Sequence, residues 1–368
     1  MQFTVVVAPD SFKGTLGARA AAEAIAAGWL SVRPDDRLII APQADGGEGT
    51  LDAIAAALPA AVRHAVGPVT GPDGRATPGE WLELPGGVAV VELAQASGLP
   101  LMGALDAIGA TTRGLGEVIR AAVDSGARSL VIALGGSAST DGGAGALAAL
   151  GLGLRDADGR TLPDGGGALT RLATVDNSGL LAPPAGGVSL LTDVAAPLLG
   201  PTGAAAVFGP QKGASPAQVA ELDAALARFA DLLGLSTGSG DPTARGAGAA
   251  GGTAFGFASA WGARIQSGAE YLTALTGLDS LIAGADLLLT GEGRFDEQSL
   301  GGKIVGHLLK RAAGAGVRAG VIAGQVTATT EVWTASLVEL GGSVDAAMDD
   351  PARWLRAAGA QAARELAG

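Results

Sequence analysis

Phe3 to Ala8 is a short, nearly continuous apolar run that ends in Pro9-Asp10-Ser11 and feeds a helical pattern from Leu16 to Leu30. A strand buried on both faces of a parallel sheet has this signature. Arg37 to Ala41 repeats the unit, ending in "PQADGGEGT" before an alanine-rich helix from Leu51 to Leu58. Near the other end, Ala285 to Leu289 runs into "TGEGRFDEQSLGGK" and a helix to about Arg311. Val317 to Ala323 and Leu337 to Leu340 read as further strands, and Ala352 to Leu366 as a last helix. Such β-loop-α units predict a doubly wound, parallel-sheet α/β domain, Rossmann- or flavodoxin-like, built from residues 1–65 and 285–368.

The middle of the chain has another character. Glu80 to Leu84, Pro85-Gly86-Gly87 and Val88 to Leu93 read as a β-hairpin. Antiparallel pairing there predicts an inserted second α/β domain of mixed sheet, residues 66–284, with the chemistry in a cleft between the two. An amphipathic stretch, Thr112 to Ser125, leads into a strand from Leu130 to Leu134. "LGGSASTDGGAG" then turns into a helix from Ala146 to Leu152. Val188 to Thr192 is another strand, ending in Asp193-Val194. Ser215, Pro216 and Gln218 make a strong helix start, and the helix runs to about Leu233. Alanine and glycine outnumber serine from Gly234 to Gly256, which favours a close-packed segment over a linker. Tyr271 to Leu275 reads as helical.

Charge and rare residues narrow the chemistry. The net charge is -12 with no basic run, which argues against nucleic acid or an anionic membrane surface as partner. No apolar stretch reaches the roughly 18 residues of a membrane span, and the N-terminus lacks a signal-peptide pattern. The expected compartment is the cytoplasm. Cysteine is absent, which removes thiol catalysis and thiolate metal sites. His64 and His307, the two histidines, make a Ser-His-Asp triad improbable. Three of the four lysines touch glycine, in "SFKG", "PQKG" and "GGKI".

The turn from Gly135 to Gly145 can serve as a phosphate cradle. Helix N-termini present unpaired N–H groups and a partial positive charge. Gly135 and Gly136 allow close backbone approach, and Ser137, Ser139 and Thr140 supply hydroxyls. An ordinary tight turn, with Asp141 as a helix cap, explains the same residues equally well. It is not a Walker A loop. Ligands of open α/β sheets bind at the carboxyl ends of the strands, which places Asp10, Ser11, Lys13, Asp45 and Glu48 along one edge. Asp10, Asp45, Asp141, Asp193, Glu292 and Asp296 all follow strands or lie in glycine-rich loops. Each alone reads as a cap or turn residue. Together with three glycine-flanked lysines they suit phosphoryl transfer, in which magnesium takes hard oxygen ligands and cations hold the moving charge.

The chain resembles the first-type glycerate kinases, the bacterial glycerate 2-kinase family, over essentially its full length. The resemblance rests on "APDSFKGTL" (Ala8 to Leu16), "ADGGEGT" (Ala44 to Thr50), "VVELAQASGL" (Val90 to Leu99) and "GGSASTDGGAG". It continues in "TDV" with "PLLGPTGAA", "FGPQKGA", "GAGAAGG" (Gly246 to Gly252) and "TGEGRFDEQSLGGK". Two departures are "VAAPL" after Asp193, where the family commonly has asparagine before the proline, and "IVGH" after Lys303, where proline is common. Neither falls on a residue given a chemical role. The resemblance implies transfer of the ATP γ-phosphoryl group to D-glycerate with Mg2+, at the 2-hydroxyl. A glycerate 3-kinase, a kinase of another small hydroxy acid, and a two-lobed carboxylate-binding protein are the alternatives. Asp193 is the expected general base, with Lys13 and Asp10 also catalytic. Ser11, Asp45, Arg294 and Ser299 are expected at the substrate. Gly135, Gly136, Ser137, Ser139, Lys212, Glu292 and Lys303 are expected at the nucleotide phosphates, and Asp45, Asp141 and Asp296 at the metal. The oligomeric state is left open, a homodimer included.

Overall fold

In the computed structural model, which describes residues 2–12, 14–301 and 304–367, all but one of the apolar runs read as strands fall in strands. They are β1 (Thr4–Val7), β2 (Arg37–Ile40), β3 (Val62–Thr70), β4 (Ala76–Leu84), β5 (Val88–Glu92), β6 (Ser129–Ala133), β7 (Gly153–Arg155), β8 (Thr174–Asp176), β9 (Val188–Leu191), β10 (Arg264–Gln266), β11 (Leu287–Phe295), β12 (Arg318–Val326) and β13 (Trp333–Ser336). Two compact units emerge. One comprises Met1–Asp45, Asp52–Pro59 and Ala269–Gly368, the other Gly46–Leu51 and Ala60–Gly268.

The first unit holds a five-stranded sheet of order β13-β12-β11-β1-β2, parallel throughout. Counted within the sheet, that is the 2-1-3-4-5 order of doubly wound folds, with its switch point between β1 and β11. Val5 and Val7 face one core, with Ile25 and Trp29 of helix Ala18–Leu30 and Leu355 and Leu366 of helix Pro351–Leu366. Val6 and Ala8 face the other, with Ile304, Val305 and Leu308. Burial on both faces is why the run does not alternate. The two helices of the first core touch backbone to backbone. A Cβ on Gly28 would lie 2.0 Å from the Arg356 carbonyl oxygen, and one on Gly359 would lie 2.1 Å from that of Ile25.

The second unit holds a six-stranded mixed sheet of order β10-β9-β6-β5-β4-β3. The four strands β10, β9, β6 and β5 are parallel, while β3 and β4 join antiparallel. The hairpin expected from Pro85-Gly86-Gly87 is the β4–β5 pair. Helix Arg113–Asp124 turns Leu115, Val118, Ile119 and Ala122 into the core. Helix Pro216–Thr237 begins with the expected capping box and runs to Thr237, where Gly238 at φ +71° ends it. The stretch read as close-packed does pack closely from Gly246, with buried turns leading into helix Thr253–Trp261.

Three sequence readings need correction. Leu337 to Leu340 is not a strand. It belongs to helix Leu337–Gly341, because the Ser336 side chain accepts from the Glu339 amide and caps it. The strand is the preceding Trp333–Ser336. The glycine-rich stretch after Leu289 is not a loop at its start: β11 continues to Phe295 because Thr290–Glu292 and Arg294–Phe295 pair with β12. The helix after "LGGSASTDGGAG" spans Ala144–Ala149, earlier than Ala146 to Leu152, since the Leu150 amide already closes it.

Candidate active site

In the second unit the parallel strands deliver their carboxyl ends side by side. β6 ends at Ala133, and the Leu134 amide donates to the Leu191 carbonyl at 3.2 Å, holding the next turn beside β9. Gly135 donates to the Gly46 carbonyl at 2.9 Å, and a Cβ on it would lie 2.4 Å from Gly47 Cα. Gly136 sits at φ +80°, where an L side chain is strained.

Lys212 ends the short turn Pro210–Lys212 and is 2 % exposed. Its ammonium donates to Ser137 Oγ at 2.9 Å and to the Ser139 carbonyl. Both acceptors are uncharged. Burial therefore pushes the lysine pKa down from 10.5 to about 7, and attraction from Asp141 only partly opposes it. A cavity of about 270 Å³ opens here, lined by Glu48, Gly135, Gly136, Ser137, Thr192, Val194, Lys212 and Gly251 among others. Asp193, half-buried, stands between two of these lining residues at the end of β9. Ammonium, glycine turn and hydroxyl are groups of the kind that suit an anion.

Asp141 is a cap. Its buried carboxylate accepts from the Thr112 amide at 3.0 Å and hydroxyl at 2.8 Å, and from the Gly143 and Gly145 amides at 3.2 Å. Ser139 gives its carbonyl to Lys212, while its buried hydroxyl lies outside the cavity lining. Glu92 was missed by sequence reasoning. At the end of β5 it is buried and accepts from the Gly49 and Leu51 amides at 3.0 Å, fixing the "GGEGT" turn. Its only sequence signal is its place in "VVELAQASGL".

In the first unit the switch point carries a second cavity, of about 400 Å³. The chain beyond β1 stays beside β11, with the Asp10 amide donating to the Gly291 carbonyl at 2.8 Å. Asp10 Oδ1 in turn accepts from the Ser11 amide at 2.6 Å. Asp10, Ser11, Asp45, Glu292, Arg294 and Gln325 line the cavity from the strand ends. Ser11 Oγ is buried with no hydrogen-bond partner among the described residues. The largely exposed Arg294 guanidinium lies 3.6 Å from Asp296. Asp296 and Ser299 close a reciprocal turn instead. Asp296 Oδ1 accepts from the Ser299 amide, and Ser299 Oγ accepts from the Asp296 amide, each at 3.2 Å. Neither lines the cavity.

The expected single edge is thus divided: Asp10, Ser11 and Asp45 share one cavity, and Glu48 lines the other. Lys13 and Lys303 lie outside the described residues. Among the described residues no three His, Asp or Glu side chains converge as a metal cage. Nor is any helix among them long and apolar enough to cross a membrane.

Residues 5–367 match the Glycerate kinase family. The chain is 43% identical over 304 residues to the glycerate 2-kinase of Escherichia coli (strain K12), covering 82% of this chain and 79% of that protein. It is 42% identical over 303 residues to the glycerate kinase of Bacillus subtilis (strain 168), covering 81% and 79%. A crystal structure of a Salmonella typhimurium LT2 protein described as glycerate kinase 2 superposes with a TM-score of 0.80 at 35% identity, covering 100% of this chain and 99% of that one. With a family match over nearly its whole length, this chain belongs to the glycerate kinase family.

Proposed function

We propose that this enzyme uses ATP with Mg2+ to phosphorylate D-glycerate at the 2-hydroxyl, giving 2-phospho-D-glycerate and ADP. The observation that carries the reading is the buried Lys212 ammonium, set against the Gly135–Ser137 turn on uncharged partners. A buried cation without a carboxylate hydrogen-bonded to it favours an anion at the cavity it lines.

Asp193 is the proposed base. It takes the proton of the glycerate hydroxyl, whose oxygen then attacks the γ-phosphorus. The bond from that phosphorus to the β–γ bridging oxygen breaks, and ADP carries away the electron pair. Lys212, with the Gly135, Gly136 and Ser137 turn, holds phosphoryl oxygens as charge spreads over them. Asp10 and Asp45 would hold the magnesium ion, since they bring hard oxygens to one cavity. No three-ligand cage is needed, because magnesium is commonly held by one or two carboxylates plus substrate phosphates. When bound, the ion screens phosphate charge. Asp141 is not assigned to the metal, since its carboxylate already accepts four hydrogen bonds as a cap, nor is Asp296, whose Oδ1 serves the Ser299 turn and which does not line the cavity.

The test is ATP consumption that depends on D-glycerate, read with enolase as the coupling enzyme and no mutase present. Direct coupling is expected, because enolase consumes 2-phosphoglycerate. Glycerate-dependent ATP loss with a silent enolase signal would assign the 3-hydroxyl. ATP loss with no dependence on glycerate would defeat the proposal.

A further inference from the structure

The first unit's cavity has two chemically different linings. Apart from Phe12 and two glycines its strand-end side is polar, while its helix-borne residues are Leu337, Val338, Val344, Ala347, Met348 and Pro351. Val344 and Met348 are 50% and 54% exposed, two of the few large apolar side chains left in water among the described residues. Their helix, Val344–Asp349, is fixed in place. Ser343 Oγ accepts from the Ala346 amide at 3.1 Å, and Trp354 Nε1 donates to the Ala346 carbonyl at 2.8 Å. The wall is therefore built before any ligand arrives.

A three-carbon hydroxy acid is polar on every side and offers such a wall nothing. A purine ring offers a flat apolar face, and about 400 Å³ falls within the roughly 300–1,000 Å³ of small-molecule sites. Polar edges are at hand too. β12 continues through Gly324, Gln325 and Val326 after its register with β13 stops at Ala323, and Gly324 and Gln325 line the cavity. The Gly324 carbonyl already accepts from Ser336 Oγ and the backbone of Gln325 is in register with Arg294 of β11, so the group on offer to the edge of a base is the side-chain amide of Gln325.

Resting on the proposed use of ATP, we infer that the apolar wall at Val344 and Met348 is the nucleobase site, so that the nucleoside is held by the first unit. Glu292 then accepts from the ribose hydroxyls, as carboxylates do at other switch-point nucleotide sites. Arg294, on the same cavity, meets phosphate oxygens and not the carboxylate of glycerate.

Met348→Glu and Val344→Asp test this. Both positions are half in water, so the fold tolerates a charge there. Direct binding of ADP is measured by calorimetry, with inorganic tripolyphosphate as a probe lacking the base. Each variant is expected to weaken ADP binding by about tenfold or more, leave tripolyphosphate binding unchanged, and raise the KM for ATP more than the KM for glycerate. ADP affinity equal to that of the unaltered enzyme would overturn the inference while leaving glycerate phosphorylation standing. Loss of tripolyphosphate binding in parallel with ADP would overturn it as well, since the damage would then not be at the base. If the enzyme failed to consume ATP with glycerate, the proposed function would fall, yet weakened ADP binding in the variants would still locate the base.

Discussion

Lys212 Nζ lies 2.9 Å from Ser137 Oγ, inside a turn that leaves the lysine 2 % exposed. The pairing joins "PQKG" to "GGSAS", separated by 75 residues in the chain. It costs stability, because burial holds the folded-state pKa near 7 against 10.5 for the ordinary side chain. The unfolded chain therefore binds more protons between pH 7 and 10.5, and the lysine's contribution makes stability rise with pH across that window. Below pH 7 the whole penalty applies. Lys212→Met should raise the Tm by a few degrees near pH 6.5, as removing a buried charge in favour of an apolar side chain stabilises by about 1–4 kcal/mol in favourable cases. The gain should shrink toward pH 10, and ATP turnover should collapse at every pH. Calorimetric scans across pH check the first part. A Tm gain independent of pH would mean that the lysine is neutral throughout.

The same shift fixes the direction of a binding change in the unaltered enzyme. Above pH 7 the free enzyme's ammonium loses its proton. Affinity for inorganic tripolyphosphate should fall as pH rises from 6.5 to 8.5, more steeply than in Lys212→Arg. Guanidinium stays charged throughout that range. Titration calorimetry at the two pH values reads it. Equal slopes for the two proteins would remove Lys212 from the anion site.

Asp193→Asn should lower kcat by roughly a hundredfold or more with the Tm nearly unchanged, the size expected for loss of a positioned base. Asp193 is half-buried at the end of β9, so an isosteric amide disturbs little packing. Near-normal turnover would pass the role of base to another group.

Asp141→Asn should behave in the opposite way. The carboxylate accepts from Thr112, Gly143 and Gly145, holding two helix starts together. An amide cannot accept at both oxygens and sets an NH2 against backbone amides. A loss of about 2–4 kcal/mol is expected, from charge-assisted hydrogen bonds worth roughly 1.5–3 kcal/mol each. The magnesium concentration giving half-maximal rate should not move. A shift in that concentration with normal stability would make Asp141 a metal ligand after all.

The legible and illegible parts of this chain divide along physical lines. β1, β6 and β11 could be read because runs such as Val5-Val6-Val7 have one stable home, a strand covered on both faces. Asp141 could not be assigned, because a cap and a ligand look the same in sequence. Thr112, 29 residues away, decides it. Leu337 to Leu340 misled because four apolar residues suit a strand or a helix, and Ser336 settles the choice by capping. The wall at Val344 and Met348 left no trace, since two exposed apolar residues on a short helix are an ordinary pattern. Lys212 stood out in the sequence through its glycine neighbours, but its burial was not legible there.

The glycine-rich stretch Gly246 to Gly252 supplies the last prediction. Gly251 sits at φ +63°, and a Cβ there would lie 2.2 Å from the Ser139 carbonyl oxygen, the atom that accepts from Lys212. Gly251→Ala therefore pushes, through the backbone, on the turn that holds Lys212. Gly238, at φ +71°, ends helix Pro216–Thr237 and has nothing within 4 Å of where its Cβ would be. Both variants carry the left-handed penalty of roughly 1–2 kcal/mol, and only Gly251→Ala adds a clash worth about 1–3 kcal/mol more. Gly238→Ala should lose a few degrees of Tm and keep its KM for ATP. Gly251→Ala should lose more, and its KM for ATP should rise several-fold because Ser139 no longer seats the lysine. If both variants lost the same stability and kept the same KM, the close approach at Gly251 would be packing alone, with no hold on Lys212.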